Sequence, residues 1–252
     1  MEKTVTAGVL LIGDEILSGR TQDTNLQTIA KFLAPIGISV AQARIIADEE
    51  GTIIDAVRTL SEAYDYVFTT GGIGPTHDDI TAECVAKAFN TPISIRDDAR
   101  KVLEDWYAQT DREVTEARLR MARIPDGATL IDNPVSGAPG FIIQNVHVMA
   151  GVPRIMNAML HNIGPTLKGG SVVQSRTLRA AGLKEGDIAQ PLGELAEKMP
   201  DLSFGSYPWY LEDNVGVALV VRGSDSDRLA EAETALIELA QNQGMIPEIT
   251  RN

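Results

Sequence analysis

The chain has 252 residues, of which 44% are hydrophobic, and it carries a formal net charge of −13 at pH 7. This length and composition predict a soluble globular protein, either one large α/β domain or a main domain with a smaller companion. The negative charge disfavours nucleic acid as a partner, because it repels phosphate backbones. We find no signal-peptide pattern and no apolar run near the roughly 20 residues of a membrane helix, so we expect a cytoplasmic protein without a membrane partner.

Strand-like and helix-like patterns alternate through the first part of the chain. The order is strand VTAGVLLIG, helix TNLQTIAKFLAPIG, strand ISVAQARIIA, helix GTIIDAVRTLSEA and strand DYVFTTGG. Apolar strands between amphipathic helices predict a doubly wound, mainly parallel sheet, whose ligands bind beyond the carboxyl ends of the strands. The single cysteine, Cys84, lies in the next predicted helix, excludes an internal disulfide and is expected to pack in the interior.

The remaining elements complete this sheet and then begin a second domain. DDARKVLEDWYAQTDREVTEARLRMARIP predicts a charged pair of helices, and GFIIQNVHVMAG predicts two short strands around Gln144 and Asn145. VPRIMNAMLHNIG predicts a helix that begins at a proline. Glycines and prolines in GPTLKGGS mark a boundary, so the predicted domains are residues 1–167 and 171–252. The second is a small β-α-β-β-α unit in which SYPWYLED, with Trp209, forms a hairpin loop.

The first loop of chemical interest, GDEILSGRTQDTN, follows the first strand. Asp14 and Glu15 leave the sheet where ligands bind in such folds, and a turn brings Asp23 and Asn25 toward the same edge. In the alternative interpretation, Asp23 or Thr24 only caps the next helix, and the first two acidic residues are solvated. Taken alone, the loop favours neither interpretation.

The second loop is TTGGIGPTHDDIT. Gly71, Gly72 and Gly74 let main-chain N–H groups approach a phosphate or pyrophosphate. Asp79 stands at the start of the next helix and is alternatively only an N-cap, worth about 1 kcal/mol. The adjacent carboxylates of Asp78 and Asp79 would repel a phosphate unless a divalent cation lies between them or one is protonated. The pair therefore favours metal-assisted phosphate chemistry.

The third loop, NPVSGAPGF, contains two prolines and two glycines and leads into the predicted hairpin. Taken alone, this composition favours a tight connection. Because all three loops follow predicted strands or precede them closely, their coincidence predicts one composite site at one edge of the sheet.

Together these segments resemble the MoaB/Mog-like molybdopterin-binding domain family, and most closely its CinA (competence/damage-inducible protein) N-terminal branch. The resemblance rests on GDEILSG, TTGGIGPTHDDIT, NPVSGAPGF and MAGVPRIM in this order, and it covers about the first 165 residues. The tail, with AAGLKEGDIAQPLGEL, looks like the small KH-like domain of those proteins. CinA proteins commonly continue into a nicotinamide-mononucleotide deamidase domain, which has no counterpart in these 252 residues.

The resemblance implies two functions. The CinA branch implies metal-dependent hydrolysis of a dinucleotide pyrophosphate such as ADP-ribose, whereas the molybdenum-cofactor branch implies binding of molybdopterin, there with an arginine-aspartate pair where this chain has Asp78 and Asp79. The loop VMAGVPRIM departs from the usual LPGPPxEM, since Val152 replaces a proline and the glutamate is missing. A non-catalytic molybdopterin- or nucleotide-binding protein is therefore the alternative, and an interaction protein that kept only the fold is a third.

The predicted site combines the loop residues with these family expectations. As catalytic residues we expect Asp79, Asp78 and Glu15, and as ligands of a divalent metal (Mg, Mn or Co) Asp14, Asp78 and Asp79. The predicted contacts to a nucleotide or pterin are Gly13, Asp14, Asp23, Asn25, Thr70, Gly71, Gly72, Gly74, Pro75, Thr76, Asn133, Ser136, Gly137, Gly140 and Gly151. We also expect a homo-oligomer, a dimer or a trimer.

Overall fold

The computed structural model of the protein describes residues 4–211 and 214–251, and it divides between residues 170 and 171 into two compact units. The described strands of the first unit are β1 (Val5–Ile12), β2 (Ile38–Ile46), β3 (Tyr66–Thr70), β4 (Ile93–Ile95), β5 (Arg123–Pro125), β6 (Thr129–Ile131), β7 (Gly140–Ile143) and β8 (Val146–Met149). Its described helices are α1 (Asp14–Leu17), α2 (Asn25–Leu33), α3 (Glu50–Ala63), α4 (Thr81–Ala88), α5 (Asp97–Tyr107), α6 (Glu116–Leu119) and α7 (Pro153–Ile163).

The main sheet of the first unit has the strand order β2-β1-β3-β8-β7-β6. β1 runs parallel to β2 and β3, and β3 runs parallel to β8. β7 pairs antiparallel with β8 through the predicted turn at Gln144 and Asn145, and β6 pairs antiparallel with β7. The predicted mainly parallel sheet is confirmed, with an antiparallel hairpin and a short strand at one edge.

Helices cover both faces of this sheet, as the doubly wound prediction requires. Successive side chains of a strand point to opposite faces. In β1, Leu10 and Ile12 pack in one core with residues of α3 and α4, whereas Val9 and Leu11 pack in a second core with residues of α2 and α7. β1 is therefore buried on both faces, which explains its continuous apolar sequence.

The predicted charged pair of helices is only half correct. α5 forms, but the second member is the single turn α6, capped by the Thr115 side chain. The following residues 123–125 form β5, which pairs antiparallel with β4. Strands of three residues are too short to give a periodic signal, and this tertiary pairing overrides the helical tendency of the charged segment.

The second unit contains β9 (Gln174–Ala181), α8 (Glu185–Lys198), β10 (Ser203–Leu211), β11 (Asn214–Gly223), α9 (Ser226–Asn242) and β12 (Glu248–Arg251). Its antiparallel sheet has the order β10-β11-β9-β12, so β12 adds a fourth strand to the predicted β-α-β-β-α unit. The prediction of a hairpin loop at Trp209 is wrong, because β10 continues through it and Trp209 pairs with Gly216. Residues 212 and 213 of that segment lie outside the described residues.

Two smaller expectations concern the interior and membranes. Cys84 is buried in α4, as expected, and burial raises the pKa of its thiol to about 11, so it stays protonated at neutral pH. None of the helices in the part of the chain that the structure describes has the length and apolar character needed to cross a membrane.

Candidate functional site

The loops that follow the parallel strands meet at the carboxyl edge of the main sheet, where they enclose a cavity of about 490 Å³. The predicted site residues that line it are Glu15, Gly71, Gly72, Gly74, Pro75, Asp79, Asn133, Ser136 and Gly151. All three loops of the sequence analysis therefore contribute to a single cavity. Its position agrees with the rule that open α/β sheets bind ligands beyond the carboxyl ends of their strands.

The glycine loop after β3 turns so sharply that two of its positions require glycine. Gly71 and Gly72 have φ angles of 104° and 65°. A Cβ on Gly71 would lie 2.0 Å from the carbonyl oxygen of Ile12, and one on Gly72 would lie 2.2 Å from Oγ1 of Thr81. The N–H of Gly71 donates to the carbonyl of Met149 at 3.2 Å, which ties the loop to the neighbouring strand β8. Bare backbone thus forms this wall of the cavity.

Asp79 does not cap the helix that follows it. α4 begins at Thr81, and the residue before it is Ile80, whose side chain cannot accept a hydrogen bond. Asp79 instead accepts hydrogen bonds from the backbone N–H of Thr76 at 2.8 Å and from the Thr76 hydroxyl at 2.5 Å. The N-cap interpretation is therefore wrong, and the carboxylate closes the glycine loop across Gly74 while it lines the cavity.

A further acidic residue, Asp48, is missed by the sequence analysis. Its carboxylate accepts a hydrogen bond from the backbone N–H of Asp14 at 3.0 Å. Burial raises the pKa of Asp48, and the charges of Asp14, Glu15 and Asp78 raise it further, against the lowering effect of the Asp14 N–H. We call these four residues the acidic group. Asp48 lies two residues beyond the end of β2, as Asp14 lies two beyond β1, so the strand-end rule could have found it.

The carboxylates of the acidic group are suitable ligands for a divalent metal ion, but they do not form a complete coordination site. Among the described residues, no three histidine, cysteine, aspartate or glutamate side chains are arranged to hold a metal ion. Carboxylate oxygens are nevertheless the ligands that Mg²⁺ prefers, and Mg²⁺ is usually held by one or two carboxylates together with phosphate oxygens of the ligand. A nearby cation would also relieve the repulsion that raises the pKa of Asp48. The metal roles of Asp14, Asp78 and Asp79 stay predictions.

The later part of the first loop makes structural contacts. The Asp23 carboxylate accepts hydrogen bonds from the backbone N–H groups of Asn25 and Leu26, both at 3.1 Å, so Asp23 caps α2 as the alternative interpretation proposes. Asn25 is buried, and its side-chain amide donates to the carbonyl of Gly151 at 2.8 Å. Asn25 thereby supports the part of the cavity wall that Gly151 forms, without lining the cavity itself.

Asn133 organises the third loop. It is buried, its Oδ1 accepts from the N–H of Ser136 at 3.2 Å, and its Nδ2 donates to the Ser136 hydroxyl and the Ala138 carbonyl, both at 2.7 Å. Gly137 has a φ of 73°, and a Cβ there would lie 2.3 Å from Cγ of Trp106. The loop is thus fixed by its own hydrogen bonds, with one side against the cavity and Gly137 against α5.

Apolar side chains complete the cavity, among them Ile73, Met121, Val152 and Ile155. The sequence does not single them out, because they come from separate segments and share no local pattern. The other predicted residues are outside the cavity lining, in the loops, strands and helix starts that support it: Gly13, Asp14, Asp23, Asn25, Thr70, Thr76, Asp78, Gly137 and Gly140.

Two protein families match this chain, one in each unit. The family described as "Probable molybdopterin binding domain" matches residues 8–169. The family described as "FAD synthase, middle domain" matches residues 173–248.

Individual relatives give the same assignment. The crystal structure of CinA from Thermoplasma acidophilum, a protein described as of unknown function, is 36% identical, has a TM-score of 0.59, and covers 64% of this chain and 98% of that chain. A protein of Archaeoglobus fulgidus is 32% identical over 93% of this chain and 98% of its own length. A "Putative competence-damage inducible protein" of Clostridium botulinum strain Kyoto is 33% identical over 80% of this chain, which spans only 51% of that relative. The chain therefore belongs to the MoaB/Mog-like molybdopterin-binding domain family, among its CinA-like members, and carries a second domain like the middle domain of FAD synthase.

Proposed function

We propose that the protein hydrolyses the pyrophosphate bond of an ADP-ribose-like dinucleotide with the help of a divalent metal ion. The observation that carries this proposal is that bare glycine-loop backbone and carboxylates face one cavity. Backbone N–H groups bind phosphate oxygens directly, whereas carboxylates approach a phosphate only through a cation. A cavity with both kinds of group suits a metal-bound pyrophosphate.

The size and walls of the cavity support a nucleotide-like ligand. Small-molecule sites typically enclose about 300–1,000 Å³ with mostly apolar walls and a few polar groups, and this cavity of about 490 Å³ has that character. Ile73, Met121 and Ile155 give the lining apolar surface for a planar ring, while Gly74 lies against the Asp79 carboxylate and Gly72 lies near that of Asp48. One ligand with a ring and a phosphate chain would use both kinds of surface.

Within this proposal the side chains have distinct tasks. One or two carboxylates among Asp14, Asp78 and Asp79, together with phosphate oxygens of the ligand, would hold the metal, which when bound would polarise the phosphate and lower the pKa of a water molecule. Glu15 lines the cavity, and in this proposal it would accept the proton of the attacking water. The glycine-loop N–H groups would stabilise the negative charge that develops on the phosphate oxygens.

Binding without turnover is the second candidate function. The observation that favours it is that the described residues form no three-ligand metal group, so the protein supplies an incomplete metal site by itself. In this case the same cavity would bind molybdopterin or a nucleotide, and the carboxylates would contact ring nitrogens or hydroxyls rather than a metal.

Turnover assays separate the two candidates. The purified protein should be incubated with ADP-ribose, FAD, NAD and molybdopterin, each with Mg²⁺, Mn²⁺ or Co²⁺ and with a chelator, and the products separated by chromatography. The hydrolase proposal requires nucleoside monophosphate to appear only with metal. Tight binding without product would establish the second candidate, and neither binding nor product would contradict both.

Asp79→Asn tests the proposed metal ligand directly. Asparagine keeps an acceptor for Thr76 but removes the charge, so we expect metal-dependent turnover to fall by roughly 10²-fold or more with an unchanged melting temperature. Asp55→Asn is the matched control, because Asp55 is an exposed carboxylate on α3. Wild-type turnover in Asp79→Asn would move the catalytic role to Asp78 or Glu15.

A further inference from the structure

Arg120 carries a buried polar atom that the first unit does not satisfy. Its Nε is inaccessible to solvent and has no hydrogen-bond partner among the residues that the structure describes. The nearby acidic residue Glu83 is already engaged in an ion pair with Arg123. Buried guanidinium nitrogens nearly always have an acceptor, because a donor that is removed from water loses its hydrogen bonds there. An unpaired donor at this place therefore points to an acceptor that comes with a ligand and toward which the guanidinium turns when the ligand binds.

Arg120 borders the glycine loop. It lines a narrow cleft with Gly72, Gly74 and Asp79, and these three residues also line the main cavity. The cleft has a volume of only about 10 Å³, which corresponds to about one oxygen-sized atom. A ligand whose bulk occupies the main cavity could thus place a single oxygen in the cleft beside Arg120.

The chemistry of the surroundings selects a phosphoryl oxygen. The chain has a net charge of −13, and the acidic group stands beside the same loop, so an anion needs a fixed positive charge nearby. Arginine stays charged at all physiological pH values, and its planar fork of donors matches the oxygens of a phosphate.

We propose that Arg120 binds a phosphoryl group together with the glycine-loop N–H groups, and that it makes the cavity selective for phosphorylated over phosphate-free ligands. The inference rests on the proposed function for the place of the ligand, but it does not require hydrolysis. Arg120 is assigned to binding, so its loss should act on affinity and on KM more than on kcat.

Calorimetric titration with AMP, inorganic pyrophosphate and adenosine tests this inference in wild type, Arg120→Ala and Arg120→Lys. We expect Arg120→Ala to weaken the binding of AMP and pyrophosphate at least tenfold while the affinity for adenosine stays within about twofold. Arg120→Lys should have an intermediate affinity for AMP and pyrophosphate, since lysine keeps the positive charge but lacks the planar set of guanidinium donors. Arg100→Ala is the matched control, because Arg100 is an exposed arginine on α5. Arg120→Met, which keeps the apolar stem, replaces the alanine variant if that variant does not fold.

Unchanged affinity for AMP and pyrophosphate in the Arg120 variants would overturn the inference, as would an equal loss of adenosine binding or a wild-type protein that binds neither phosphate probe. The outcomes are distinct from those of the hydrolase proposal. Arg120-dependent binding without dinucleotide turnover would overturn only the hydrolase. Dinucleotide turnover with an unchanged KM in Arg120→Ala would overturn only the role of Arg120.

Discussion

The two edges of the main sheet carry cavities of opposite character. The cavity at the amino edge is the larger one, with about 810 Å³ against about 490 Å³ at the carboxyl edge. Several of its polar groups, however, are hydrogen-bonded within the protein: the Asn145 amide donates to the carbonyls of Ser61 and Tyr64, both at 2.9 Å, and the Tyr66 hydroxyl accepts from the N–H of Lys168 at 3.0 Å. At the carboxyl edge, the carboxylates repel one another instead.

This difference separates polar groups that stabilise the fold from groups whose repulsion the proposed ligand would compensate. Hydrogen bonds within the protein make the amino edge a stable closure of the fold, although it encloses more space. The carboxyl edge keeps like charges together, which lowers stability unless a ligand compensates. Unsatisfied charge, rather than volume, therefore distinguishes the candidate site.

The largest expected effect concerns the backbone of the carboxyl edge. Gly71→Ala combines a positive φ with a Cβ 2.0 Å from a carbonyl oxygen, so we expect the first unit to lose about 4 kcal/mol of unfolding free energy. Gly127→Ala is the control, because Gly127 also has a positive φ but no atom within 4 Å of its Cβ position; it should cost only about 1 kcal/mol. Urea unfolding followed by Trp106 fluorescence in a Trp209→Phe background measures the first unit. Equal losses in both variants would contradict the close packing of the glycine loop.

The next effect belongs to the amino edge, where His147 is the exception to the paired groups. Burial lowers the pKa of His147 to about 4 from 6.5, and its Nδ1 has no partner among the described residues. The unfolded chain binds more protons between these pH values, so stability should fall by about 2 kcal/mol from pH 7 to pH 5 through this group. His147→Phe, which keeps an aromatic ring against Phe68, should remove this part of the pH dependence. The exposed His77, replaced by glutamine, is the control, and an identical pH profile for wild type and His147→Phe would refute the assignment.

The elements of the fold that the sequence predicts are those with a strong local pattern. β1 and α7 are predicted because a continuous apolar run and a proline-started amphipathic helix are unambiguous. β4, β5 and β6 are missed because each has three residues and forms only through pairing with another strand, which for β4 and β5 is far away in the sequence. The sequence around each of these strands does not identify the strand with which it pairs.

The residues of the candidate site likewise divide into those that the sequence predicts and those that it does not. Gly71 and Gly72 are found because glycine itself signals an unusual backbone, and the structure gives both a positive φ. Asp79 is found, but its hydrogen bonds to Thr76 depend on a turn that the sequence does not specify. Arg120 is overlooked because its neighbours in space come from other segments, so only coordinates reveal that its Nε is unpaired.

The smallest expected effect tests the repulsion within the acidic group. The raised pKa of Asp48 means that its ionised form is disfavoured in the folded protein, so Asp48→Asn should be more stable than wild type at pH 7 without metal. The gain should be at most about 1 kcal/mol, since Asp48 is only partly buried and solvent screens the charges. As the pH falls through the folded pKa of Asp48, wild type takes up its proton and the difference should shrink.

Adding magnesium makes this last test more specific, because a cation bound by the acidic group would neutralise the repulsion among its carboxylates in wild type. We therefore expect millimolar Mg²⁺ to stabilise wild type more than Asp48→Asn, so that their unfolding free energies at pH 7 converge. Asp55→Asn, with its exposed carboxylate on α3, should respond to Mg²⁺ as wild type does. If Asp48→Asn is instead less stable than wild type in metal-free buffer, the hydrogen bond from Asp14 outweighs the repulsion. The carboxyl edge would then resemble the amino edge, as a place where polar groups stabilise the fold.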